Sequence, residues 1–148
     1  MTMNQRQLNE PPQAAAPSSP WSKRAALRLI QRACVLAGRE RAVRLHIRQA
    51  RLAARWALSD WPLEWTTFMD RGVLSFERRP ARRPDVTFTW PSSAEFFRHV
   101  ESGIEDPSLI TEGESEACRV AGWVRVALLE TLREVIKHPF DEKGQRLA

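Results

Sequence analysis

Apolar and polar positions alternate most cleanly at Pro84-Asp85-Val86-Thr87-Phe88-Thr89-Trp90, where Val86, Phe88 and Trp90 share one face. That two-residue period predicts a half-buried strand, and Pro91 ends it because proline cannot donate to a ladder. Ser92-Ser93-Ala94-Glu95 follows as a capping box and opens a helix over 92–102 that carries Phe96, Phe97 and Val100. Gly103 falls where a left-handed C-cap is wanted. Ser108 to Gly113 reads as a second short strand. Ala117, Val120, Ala121, Val124, Ala127, Leu128, Thr131, Leu132, Val135 and Ile136 then recur at helical spacing and predict a long amphipathic helix over 115–137.

Upstream, the stripe Ala26, Leu27, Ile30, Ala33, Cys34 and Ala37 predicts a helix over 22–37, with Ser22 as N-cap and Gly38 as terminator. Residues 40–59 fit two periods. Val43, Leu45 and Ile47 alternate with Arg44, His46 and Arg48, whereas Ala50 to Ala57 favour helix. The expectation is a strand near 42–48 and a short helical or irregular stretch after it. Leu63 to Met69 and Val73 to Phe76 read as strands joined by the turn Asp70-Arg71-Gly72. With the strand at Val86 they suggest an antiparallel meander. The fold class is therefore α+β, a mostly antiparallel sheet covered by helices.

Composition sets the outer bounds. At 148 residues, with 43% hydrophobic and 28% charged residues, the chain fits a single globular domain. Its Pro-rich residues 1–20 read as a disordered tail, 21–139 as the domain, and 140–148 as a polar tail that frays. No apolar run reaches the ~20 residues that span a bilayer, and no secretory signal pattern opens the chain. Cys34 and Cys118 sit in helical patterns and read as buried small side chains. Cytoplasmic residence is the default expectation.

The net charge of +5 is unevenly placed. Ten basic residues against Glu40 and Asp60 occupy 21–60, Arg71, Arg78, Arg79, Arg82 and Arg83 follow, and 84–117 holds eight acidic residues against Arg98. Solvated faces explain most of this, and a functional patch is the sharper alternative.

With these elements laid out, their order resembles the sterol carrier protein type 2 (sterol-binding) domain family. Asp70-Arg71-Gly72-Val73-Leu74-Ser75-Phe76 is similar to that family's hairpin and strand. Pro84-Asp85-Val86-Thr87-Phe88-Thr89 resembles its Pro-Asp-Val-Thr strand, which a Ser-led helix follows. Leu109-Ile110-Thr111-Glu112-Gly113-Glu114 looks like the strand that leads into its last helix. The resemblance implies a sheet of about five strands covered by helices, with an apolar pocket that accepts fatty acyl, sterol or isoprenoid chains. It also implies kinship with bacterial accessory proteins of ubiquinone biosynthesis.

The residues agree with a non-enzymatic role. No phosphate loop, metal spacing or nucleophile motif occurs, so no catalytic residue, metal or cofactor is expected. His46, His99 and His138 read as structural or surface residues, and Glu112 and Glu114 as suited to a helix N-terminus. The candidate ligand-lining residues are Phe88, Phe96, Phe97, Ile110, Trp123, Val124 and Leu128. Trp65, Trp90 and Trp123 fit either core or pocket wall, while Trp21, Trp56 and Trp61, with arginines close by, suit a membrane interface. The expected partner is a hydrophobic small molecule or lipid, with an anionic membrane surface or a biosynthetic protein complex beside it. Nucleic-acid binding through the basic first third, at a pI near 10.2, and a protein-interaction module are the alternatives.

Overall fold

The computed structural model describes residues 21–148; the expected tail at 1–20 lies outside them. Among the described residues, four helices and five strands follow in the order α1 (Lys23–Arg39), α2 (Arg41–His46), β1 (Arg51–Leu58), β2 (Leu63–Asp70), β3 (Val73–Glu77), β4 (Val86–Trp90), α3 (Ser93–Ser102), β5 (Ile110–Gly113) and α4 (Ser115–Lys137). The five strands form one sheet in the order β3-β2-β1-β4-β5.

The largest correction concerns residues 40–59. Residues 41–46 are helical, and the alanine-rich stretch expected to be helical or irregular is β1, the central strand. Its Ala54, Trp56 and Leu58 are buried while Arg55 lies on the opposite face. Pairing on both edges outweighs the helix preference of alanine, which is a weak local bias. The meander fails for the same reason. β1 inserts between β2 and β4, so β3 and β4 are not neighbours, and β4 runs parallel to β1 with Trp56 beside Phe88 and Leu58 beside Trp90. The other pairs in the sheet are antiparallel.

Helix ends follow local chemistry. Ser22 Oγ accepts from the Ala25 amide (3.1 Å), Ser92 Oγ from the Glu95 amide (3.0 Å) and Glu114 Oε1 from the Glu116 and Ala117 amides (3.2 and 3.1 Å). The Glu95 carboxylate turns instead to Arg98 Nη1 at 2.6 Å. Gly103 caps α3 in the left-handed region, at φ 70°. Gly38 does not end α1, which continues to Arg39; it faces the Leu74 carbonyl oxygen closely, at 3.3 Å from where a Cβ would stand.

The core lies between one face of the sheet and the helices. α1 and α4 pack on each other, α1 also against β3, and α4 against β1, β4 and β5. Residues 140–148, expected to fray, fold back instead. Phe140 bridges to Arg146, Leu147 donates its amide to the Pro139 carbonyl, and Arg28 Nε donates to the Leu147 carbonyl at 2.7 Å. Glu142 pairs with Arg39 at 2.6 Å and with Arg32 at 3.4 Å, and Leu147 packs against the core.

Candidate functional site

The layer between β4 and α4 is where the expected lining residues meet. Alternation on β4 sends Val86, Phe88 and Trp90 inward. Across the gap, the spacing Ala117, Ala121, Val124, Leu128, Leu132 and Val135 keeps one stripe of α4 on the sheet. From α3, Phe96, Phe97 and Val100 close the side. Five of the seven expected residues, Phe88, Phe96, Phe97, Val124 and Leu128, therefore lie in one buried cluster.

That cluster is filled by its own side chains. Trp90 and Phe96 meet edge to face with centroids 4.8 Å apart, Trp56 and Phe88 at 4.9 Å, and Phe96 and Phe97 at 5.1 Å. Trp56, expected near a membrane interface, sits in this core, and its indole N–H donates to Thr67 Oγ1 at 2.9 Å. Trp65 packs beside it, its centroid 5.9 Å from that of Trp56.

Two of the seven stand apart. Ile110 pairs with Thr89, not with Phe88, and directly paired residues share a face. It therefore points away from the Phe88 and Trp90 side and is 57% exposed. Trp123 is 41% exposed. It stacks on His46 at 4.2 Å and lines an open cleft of about 440 Å³ with Glu40, Ala42, Val43, Val126, Ala127, Glu130 and Thr131. His46 Nε2 lies 3.2 Å from the Val120 carbonyl, which anchors the stacked pair to α4.

A polar group borders the apolar layer. Arg125 places its guanidinium 5.7 Å from the Phe88 ring centroid with its side chain 11% exposed. It forks onto Glu105, Nη2 to Oε1 at 2.9 Å and Nη1 to Oε2 at 3.3 Å. His99, buried on α3, completes the group. The Trp90 indole donates to His99 Nδ1 at 3.2 Å, and because an indole nitrogen only donates, Nδ1 carries no proton. The proton sits on Nε2, which faces Glu105 Oε2 at 3.7 Å. Burial holds the His99 imidazole below its ordinary range, and Glu105 opposes this in part. The bond from Arg125 is the largest cause holding the Glu105 carboxyl below the usual range.

The sequence reading missed this group. Its one signal was the position of Arg125, four residues after buried Ala121 and four before buried Leu129, a charge on the inward side of an apolar helix. Cys34 is buried as expected, and burial pushes its thiol to about 12, which leaves it inert. Among the described residues no helix is long and apolar enough to cross a membrane.

No family model matches the chain, and no curated protein does. Solved structures do. A conserved hypothetical protein from Thermus thermophilus, described as a possible sterol carrier protein, superposes at TM-score 0.57 and 15% identity over 80% of this chain and 92% of its own. Sterol carrier protein 2 superposes at 0.53 and 15% identity over 72% of this chain and 94% of its own. An inverting sec-alkylsulfatase from a Pseudomonas species matches at 0.44 and 12% identity over 55% of this chain, which spans only 13% of that enzyme. The five-stranded sheet, with its parallel β1–β4 pair and its covering helices, is thus the fold of sterol carrier protein 2 domains.

Proposed function

We propose that this protein binds a hydrophobic, lipid-like molecule non-covalently, without catalysing a reaction, in the layer between β4 and α4. The observation that carries the reading is the composition of that layer. Phe88, Phe96, Phe97, Val124 and Leu128 offer an apolar interior, and Arg125 supplies a cationic group at its border. Apolar burial provides affinity, and a single charge orients an amphiphile by its head. The shared fold is consistent with the carrier role that the names of the Thermus protein and of sterol carrier protein 2 suggest for those two proteins. The aromatic rings fill the layer, so binding requires Phe88, Phe96 and Phe97 to part from α4. Fatty acyl, sterol-like and isoprenoid or quinone-precursor chains are all within this class.

Native mass spectrometry of protein purified from cells tests the reading. A co-purifying amphiphile lost on Leu128→Trp, which would crowd the layer, supports it. A bare chain that also takes up no added fatty acid refutes it.

The cleft at Trp123 favours a second reading, a protein-interaction module. A half-exposed tryptophan beside exposed Val126, with Glu40 and Glu130 along the cleft, has the aromatic centre and polar surround of a recognition surface. Cross-linking from position 127 to a defined partner, with no lipid bound, would favour that reading over the first.

A further inference from the structure

The Glu105 carboxylate occupies a position built for an anion, and we propose that it is a built-in plug which the carboxylate head of a single-chain amphiphile displaces. This rests on the lipid-binding reading and names the ligand class for it: a monoanionic amphiphile. The receptor groups are buried and the plug is exposed. Arg125 is held over the Phe88 ring with its side chain 11% exposed, and His99, 3% exposed, is fixed by the Trp90 indole. Glu105, by contrast, is 65% exposed. It stands in the connection after Gly103, next to Ile104, which is 72% exposed.

The receptor presents a complete set of donors to one carboxylate. Arg125 gives two N–H groups in a fork, at 2.9 and 3.3 Å, and the His99 Nε2–H faces the same oxygen that accepts the longer of the two. Arg125 Nε is buried with no hydrogen-bond partner among the described residues, so the site also holds an unused donor. His99 and Glu105 line both a small cavity of about 30 Å³ with Arg125, Arg133 and Glu130, and an open cleft of about 460 Å³ with Ile104, Pro107, Arg98, Glu95 and Asp106. The plug thus borders both spaces.

Exchange is chemically even. One carboxylate replaces another on Arg125, and Glu105 returns to water that it already largely contacts, so little desolvation opposes its release. The apolar chain supplies the surplus, on the order of fourfold in affinity for each methylene it buries. A neutral head gains nothing at Arg125 and cannot displace Glu105.

The test is an NMR titration of the full chain with butyrate, octanoate and octanol, following the Trp90 indole N–H and the Arg125 side-chain N–H signals. Octanoate is expected to shift both saturably, butyrate much more weakly, and octanol neither. Glu105→Gln, which keeps the side chain's size and removes its charge, should tighten octanoate by on the order of tenfold, and Arg125→Met should weaken it at least as much. Unchanged octanoate affinity in Glu105→Gln, or octanoate and octanol binding alike with the Trp90 signal unmoved, overturns the plug while leaving lipid binding intact. Equal responses to butyrate and octanoate would keep the anion site and overturn the lipid reading.

Discussion

The Trp90 indole N–H donates to Nδ1 of His99, joining the last residue of β4 to the last turn of α3 through a bond buried on both sides. The bond sets the imidazole tautomer and aims Nε2–H at Glu105. Trp90→Phe keeps an aromatic ring and removes the donor, leaving a buried nitrogen unpaired. The expected loss is about 1–3 kcal/mol, read from urea unfolding at pH 8.

The same bond gives a sign to the pH dependence. Burial disfavours the charged ring and depresses the affinity of His99 for protons, and protonating Nδ1 would also place an N–H against the Trp90 N–H, so the folded state holds the neutral ring. The unfolded ring titrates near its ordinary value, about 6.5, and below that pH the unfolded state binds more protons than the folded one. His99 therefore contributes stability above about pH 6.5 that is lost as pH falls through the depressed folded value. Unfolding midpoints between pH 8 and 5 should drop on acidification, and His99→Gln should flatten that part of the profile. A profile unaltered by His99→Gln would show that the ring is not held neutral.

Leu128 and Ile110 separate the two faces of the sheet. Leu128→Ala in the filled layer should cost about 2–5 kcal/mol, while Ile110→Ala on the exposed edge strand should stay within about 0.5 kcal/mol. Thermal unfolding of both variants checks the pair. Similar losses would mean that Ile110 shares the core.

Gly113 stands at φ 149°, paired with Val86, and a side chain there would run into the Asp85 carbonyl oxygen. Because the obstacle is backbone, Gly113→Ala must push β5 from β4, at an expected cost of about 1–3 kcal/mol. Hydrogen exchange should show loss of protection confined to the β4–β5 pairing. Uniform loss across the sheet would contradict this local account.

Much of the second half of the chain was legible because its signals are local. Ser92, Gly103 and the α4 stripe each act within one or two turns, and their elements appear where expected. β1 was not legible, since Ala53, Ala54 and Ala57 favour helix and only pairing on both edges makes that segment a central strand. Ile110 faces away from the layer because it pairs with Thr89, and that register is set by the pairing of β4 with β5, which no local pattern reveals. The Arg125, Glu105 and His99 group joins α4, a connection and α3, positions too far apart in sequence for any spacing rule to link. The resemblance to the sterol-carrier domain family implied a sheet of about five strands covered by helices, and the sheet has five.

Tryptophan emission reports on ligand entry from inside the site, because Trp90 and Trp56 lie in the proposed binding layer. Titration with a naturally fluorescent polyene fatty acid should give saturable, one-to-one energy transfer from tryptophan, competed by unlabelled fatty acid and abolished by Leu128→Trp. Absence of saturable transfer below the concentration at which the fatty acid forms micelles would rule out lipid binding in this layer.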